Sequence, residues 1–234
     1  MTFATRLLAL VSLGLIACGG AQVATQPSAT ATPSPTATST ATQAATQSQA
    51  TTAPGAWTVT GDSKATVSVR ERLVGVNFPS DAVLVAKGAR GTFTLSADGS
   101  FSPDSKITFD LTTLTSDQRQ RDDFVKQSVL QTRQFPTATF IPLKATGLTL
   151  PIASNTDLKF QISGKITIRN ITKDVTFDVV AKRAGGQLTA TATANPTWKF
   201  GDFGMQPPAV PGRVLSVVDE IKLVVELVAS GASV

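Results

Sequence analysis

The chain has 234 residues, a formal net charge of +5, 41% hydrophobic residues, no histidine, no tyrosine and one cysteine. One cysteine excludes an internal disulfide. Without histidine a Ser-His-Asp triad, a Cys-His dyad and a His-based zinc site cannot be built, and no catalytic residue, metal ligand or cofactor is assigned. Lys and Arg are interspersed with acids, so the basic balance reads as a solvated surface and not as a nucleic-acid-binding face.

Residues 1–17 have the layout of a secretory signal peptide. Arg6 supplies the positive start, and Leu7 to Ala17 form an apolar stretch too short to span a bilayer. The run Leu15-Ile16-Ala17-Cys18 resembles the bacterial lipobox. That resemblance implies cleavage before Cys18, a diacylglycerol on its thiol and usually an acylated amino terminus. Two or more acyl chains suffice for stable anchoring where one does not. The expected location is therefore the extracytoplasmic cell envelope, tethered to a membrane through Cys18.

From Cys18 to Ala56 the composition is nearly all Ala, Thr, Ser, Gln and Pro, with no charge. Such a segment buries too little apolar surface to offset chain entropy and reads as a disordered tether. At about 3.3 Å per residue its roughly 38 residues after the cysteine reach on the order of 120 Å.

From Trp57 onward, period-two alternation dominates. Ala65, Val67 and Val69 share a face opposite Thr66, Ser68, Arg70 and Arg72. Phe93 and Leu95 pair within Thr92–Ala97, and Ile107, Phe109 and Leu111 within Lys106–Leu111. Leu158 to Ile168 and Val175 to Val179 alternate on either side of the turn-like RNITKD, and Ile221, Leu223, Val225 and Leu227 form the last strand. Ala-Asp-Gly at 97–99, Gly185-Gly186 and Pro207-Pro208 mark turns. The expected fold is all-β with one short helix: a closed eight-stranded antiparallel barrel, lipocalin-like, over residues 57–229, with a tail at 230–234. Closure is the natural way to leave no exposed edge.

The segment LTATATA at Leu188–Ala194 sets Ala190, Ala192 and Ala194 on one face and threonines on the other. An inward alanine face removes little interior volume, which suits a ligand-holding barrel. Packing of that face against a helix or large neighbours is equally compatible with the pattern.

The single helical pattern runs from Gln118 to Leu130, with an apolar stripe from Val125, Val129 and Leu130. Asp117 or Ser116 is expected to cap its start, and Phe135-Pro136 ends it. A strand resumes over Thr137–Ile141.

The order of these elements resembles the YceI-like, lipocalin-resembling domains. The central match runs through Leu114, Arg121, Asp122, Phe124, Leu130, Phe135, Pro136 and Phe140. A second uses Gly164, Thr167, Ile168, Thr172, Val175 and Phe177, with Asn170 where the family usually has glycine. Asp202-Phe203-Gly204, the strand from Val218 to Leu227, and Gly91, Phe93 and Gly99 complete the set. The stretch Asn77–Arg90 departs from the family, which commonly has a histidine-containing strand there. The resemblance implies an eight-stranded barrel with a helix near its opening, an isoprenoid of polyprenyl or quinone type in an apolar lumen, and no established catalysis.

On that reading Phe93, Phe109, Phe140, Phe160, Phe177, Ala190, Ala192 and Ala194 are candidate lumen residues, and Arg121 and Lys126 candidates for a ligand's head group. Arg121 and Asp122 also suit a structural role where the helix meets the barrel. Asp122 and Asp123 project about 100° apart on a helix and do not face one substrate. The expected function is a lipid-anchored, non-enzymatic carrier of a long apolar lipid. The alternative is a structural or interaction lipoprotein whose barrel is filled by its own side chains. No nucleic acid or oligomeric partner is assigned.

Overall fold

The computed structural model describes residues 55–231. Cys18, the signal-peptide reading and all but the last residues of the tether lie outside the described residues. Ten strands form one antiparallel sheet: β1 (Ala56–Val59), β2 (Lys64–Leu73), β3 (Ser80–Ala86), β4 (Arg90–Thr94), β5 (Lys106–Asp110), β6 (Thr137–Thr146), β7 (Asp157–Ile168), β8 (Ile171–Ala184), β9 (Gln187–Ala194) and β10 (Val214–Gly231). The fold is therefore all-β, with one short α-helix, α1 (Arg119–Phe124).

The strand order is β1-β4-β5-β6-β7-β8-β9-β10-β2-β3, and β1 pairs in addition with β10. β9 and β2 overlap along β10 at Val224–Glu226, and β9 and β1 overlap at Ala229–Ser230, so β9 occupies one edge of β10. On the opposite edge β1 and β2 lie end to end. The outer edge of β3 is covered in part by Thr115, which exchanges two backbone hydrogen bonds with Val85.

Burial follows the alternation read from sequence. In β8, Val175, Phe177, Val179 and Ala181 are buried while their neighbours are less so, and in β9 each threonine is exposed. The β7–β8 hairpin turns at Arg169 and Asn170, both at positive φ, 50° and 62°. Two such residues match the right-handed twist of the strands they join. The turn thus asks for left-handed backbone at Arg169 as well as at Asn170.

Several expected boundaries shift. The strand expected at Thr92–Ala97 starts at Arg90 and ends at Thr94, and Leu111 leaves the strand for a single 3-10 turn. The last strand begins at Val214, ahead of the expected Val218–Leu227, and continues through Ser230 and Gly231 of the expected tail. β1 and β3 were not read as strands. β1 has four residues, too few for a period to register. In β3 the inward side chains are Ala82, Leu84 and Ala86, and the outward Val83 and Val85 are apolar too, so no alternation registers.

Candidate functional site

The interior of the sheet encloses a cavity of about 440 Å³. Its walls come from residues of β2, β3, β5, β6, β7, β8, β9 and β10, and its mouth from the helical segment and the loop that precedes β10. The polar residues on its wall are Glu71, Gln118, Gln120, Arg121, Thr139 and Arg213; the rest are apolar. A cavity of this size with few polar groups is what small-molecule sites generally look like.

A second cavity of about 70 Å³ lies against the first. Ile107, Phe140, Ile162, Val179, Ala190 and Leu227 wall both, so they form a partition of side chains between them. Phe140 is braced from two sides. Its ring stands edge-on to Phe177 at 5.3 Å between centroids. Behind it lies Gly164, where a Cβ would come within 2.6 and 2.7 Å of the Phe140 ring and 2.5 Å of the Ile141 carbonyl oxygen.

The segment over the mouth is not one regular helix. Residues Val125–Val129 continue α1 as a π-helix, and Leu130 donates its backbone N–H to the Val125 carbonyl at 2.8 Å. The wider turn lets Phe124, Val125, Val129 and Leu130 all face the cavity. π-helical turns are frequent at functional sites.

At its start Ser116 Oγ accepts only from the Gln118 backbone N–H, at 3.1 Å, and neither Ser116 nor Asp117 is the N-cap. The N-cap position is Gln118, with no side-chain cap bond. Instead Asp122 reaches back and accepts hydrogen bonds from the Ser116 backbone N–H and hydroxyl, at 2.7 and 2.6 Å. The acceptor therefore sits inside the helix and the donor before it. Asp122 is buried and Asp123 exposed, so the two carboxylates do not share a site.

The candidate residues separate into groups. Phe109, Phe140, Phe177, Ala190 and Ala192 line the main cavity. Phe93 and Phe160 line the smaller one. Ala194 is buried in the core beside Phe177, its partner across the sheet, and lines neither cavity. The alanine face of β9 thus splits, with two alanines on open space and one on packed neighbours. Arg121 lines the main cavity and Lys126 does not.

Arg121 is already engaged there. Its Nη2 donates to Glu71 Oε1 at 2.6 Å and its Nη1 to Asp117. The Arg121 and Glu71 side chains are 15% and 8% exposed. Arg213, just before β10 and beside the end of β2, donates to the Gln120 amide oxygen. Glu71 was missed in the sequence. The signal was present: it follows Ala65, Val67 and Val69 on the apolar face of β2, where alternation calls for another hydrophobe.

Trp198 also faces the main cavity. It continues an aromatic series, standing 6.1 Å from Phe177 and 5.2 Å from Phe203 between ring centroids. Phe203 lies in the short 3-10 turn Phe200–Phe203, before a left-handed Gly204.

Asp98, Asp110 and Asp178 are held below the ordinary carboxylate range, chiefly by hydrogen bonds from the side chains of Ser100, Thr112 and Gln161. None lines either cavity. The direction is opposite to that of a carboxyl group poised as a general acid at neutral pH. Among the described residues no group of three His, Cys, Asp or Glu side chains could hold a metal ion.

Comparison with known proteins agrees with the architecture. Residues 57–229 match the family model described as the YceI-like domain. A UPF0312 protein of Pseudomonas putida is 30% identical over 142 residues, 54% of this chain and 69% of that protein. A polyisoprenoid-binding domain from Saccharophagus degradans, implicated in plant cell wall breakdown, superposes with a TM-score of 0.55 at 10% identity, covering 75% of this chain and 98% of that one. Burkholderia cenocepacia BcnA superposes with a TM-score of 0.52 at 20% identity, covering 72% and 96%. At these identities the two structures speak for the fold. The family match spans every strand from β2 to β9 and most of β1 and β10, and on it the chain belongs to the YceI-like family.

Proposed function

We propose that the protein holds a long apolar molecule of isoprenoid type inside a closed barrel, with its polar end at the mouth beneath the segment 119–130. Counting β1 with β2 and β3 with β4 as two interrupted strands, the ten strands of the sheet make eight around a ring that returns through β1 and β10. The single observation that carries the reading is the apolar cavity of about 440 Å³, because a barrel filled by its own side chains leaves no such space. The polyisoprenoid-binding domain of Saccharophagus degradans with the same fold supports an isoprenoid as cargo.

Cys18 supplies the second half of the proposal. Lipidated there, the protein is tethered to a membrane on the extracytoplasmic side, and the tether between Cys18 and β1 lets the barrel range over the bilayer that supplies or receives the cargo. The barrel carries, stores or sequesters that molecule and performs no chemistry on it.

The test is organic extraction of the full-length protein, with mass spectrometry of the released lipids beside an unrelated lipoprotein purified in the same way. One prenyl-type molecule per chain is the expected result. No enrichment over the control overturns the holding function and favours a structural role for the barrel.

A further inference from the structure

Five of the nine large hydrophobic side chains exposed among the described residues fall on two short segments. Val74, Val76 and Phe78 are on the loop between β2 and β3, and Leu215 and Val218 are near the start of β10. The segments are neighbours: Leu73 pairs with Val214, and the Val74 backbone N–H donates to the Arg213 carbonyl at 2.9 Å. Phe78 is 78% exposed. Apolar side chains grouped in this way mark a surface that meets a partner.

The backbone shows why they point outward. Against β2, the register of β10 breaks between Val214 and Ser216 and again between Val217 and Ile221. Leu215 lies in the first break and Val218 in the second, and such bulges re-aim side chains. Leu73, Val214 and Val217 line the cavity, while Val74, Leu215 and Val218, each next in the chain, do not. The exposed apolar tip therefore borders the mouth of the cavity.

Charge identifies what the tip meets. Residues 72–80 and 205–218 contain two charged side chains, Arg72 and Arg213, and no acid. Both are exposed. Among the described residues Arg72 has no hydrogen-bonded or ionic partner, and Arg213 donates to the neutral Gln120 amide. The adjoining acids are engaged: Glu71 with Arg121, Asp81 with Arg70, and Asp219 with the Phe200 backbone N–H. The helical segment over the mouth, residues 117–133, carries four cations and three acids, so it does not offset the two arginines. An apolar tip flanked by unmatched cations fits an anionic lipid surface, with the side chains below the head groups and the guanidiniums among the phosphates. A second copy of the chain, meeting this one tip to tip, would bring the same arginines to the contact and no acid from these segments to match them.

We propose that the loop 74–79 and the start of β10 dock into an anionic lipid bilayer and turn the mouth of the cavity toward it. The docking is independent of what the cavity holds; that it presents the mouth to a source of cargo rests on the holding function above.

The experiment incorporates the full-length protein into vesicles of phosphatidylcholine and phosphatidylglycerol, part of the lipid carrying brominated acyl chains. Tryptophan emission is read for Phe78→Trp and, as a control, for Leu143→Trp, exposed on β6 where its carbonyl accepts from Phe101 of the smaller cavity's wall. The unsubstituted chain, whose Trp57 and Trp198 are buried, gives the background. Bromine is expected to quench at least half of the Phe78→Trp emission above background and little of that from Leu143→Trp. In vesicles of phosphatidylcholine alone, the quenching of Phe78→Trp is expected to fall at least twofold. Protein that sediments with the vesicles while Phe78→Trp is quenched no more than Leu143→Trp overturns the docking and leaves the tether and the holding function in place. Quenching that is the same without phosphatidylglycerol overturns the anionic bilayer as partner. A dimer in solution that Phe78→Ser dissociates overturns the proposal in favour of a second copy. Selective quenching of Phe78→Trp in a protein that yields no lipid on extraction upholds the docking and removes the holding function.

Discussion

Asp122 and Ser116 join the mouth segment to the sheet through two hydrogen bonds, from the Ser116 backbone N–H and from its hydroxyl, at 2.7 and 2.6 Å. Ser116 follows Thr115, which is bridged to β3. Asp122 therefore fixes where α1 leaves the sheet. The charged cluster in this part of the chain is architectural at Asp122 and faces the cavity at Arg121.

Replacing that acceptor tests the first role. Asp122→Ala is expected to destabilise the protein by about 0.5–2 kcal/mol, the usual cost of losing a side-chain cap. Urea unfolding checks it, and an unchanged midpoint would show that the Ser116 contacts contribute nothing net.

Ala192 faces open space, so a large side chain there has somewhere to go. Ala192→Trp is expected to abolish most lipid uptake while costing less than the about 1–3 kcal/mol typical of an overfilled core. Lipid content by mass spectrometry is measured beside the thermal midpoint. Loss of stability without loss of lipid would mean that the indole packs elsewhere and that Ala192 does not bound the cargo.

Gly164 lies behind Phe140, where a Cβ has no room. Gly164→Ala must push the ring toward the partition between the two cavities, and destabilisation of about 1–3 kcal/mol is expected. The same change is expected to shorten the longest prenol the protein retains. A variant with unaltered stability and an unaltered chain-length profile would show that the strand yields instead of the ring.

Asp110 accepts hydrogen bonds from the Thr112 hydroxyl at 2.6 Å and the Thr112 backbone N–H at 2.9 Å. The hydroxyl contact is the main cause of its lowered pKa, with smaller contributions from the backbone bond and from Arg90 acting against burial. A carboxyl whose folded-state pKa is lowered stabilises the fold above its unfolded value, about 3.9, and loses that contribution as pH falls through the folded value. Asp110→Asn is therefore expected to reduce stability at pH 7 and to flatten its fall below about pH 4. Denaturation midpoints at pH 7 and at pH 3 decide it; a constant difference between the two proteins at both pH values would refute the linkage.

Cys18→Ala is expected to release the protein from membranes into the soluble fraction. A variant that survives a carbonate wash on the membrane would show that something other than acylation of Cys18 holds it.

The alternation of side chains determined a good deal without any structure. It placed the inward and outward faces of β7, β8 and β9, because a strand turns its side chains over every residue whatever it pairs with. It set Ala190 and Ala192 on the side of β9 opposite the threonines, while the helical period put Val125, Val129 and Leu130 on one face.

Tertiary structure decided what period and composition leave free. β1 was invisible in four residues, yet it links Trp57 to both Phe93 and Gly231 across the sheet, and pairings so distant in sequence have no local signal. Phe93, Phe109, Phe140, Phe160 and Phe177 point inward by period, but their distribution between two cavities depends on height along the sheet, which is set by register. Glu71 and Arg121 stand 50 positions apart on a strand and a helical segment. Sequence singled out Arg121, and period put Glu71 on the apolar face of β2, but only the fold laid the segment across the mouth and paired the two. Sequence determined which way each side chain turns; only the assembled sheet determined which side chains meet, because that depends on pairing, register and packing over the whole domain.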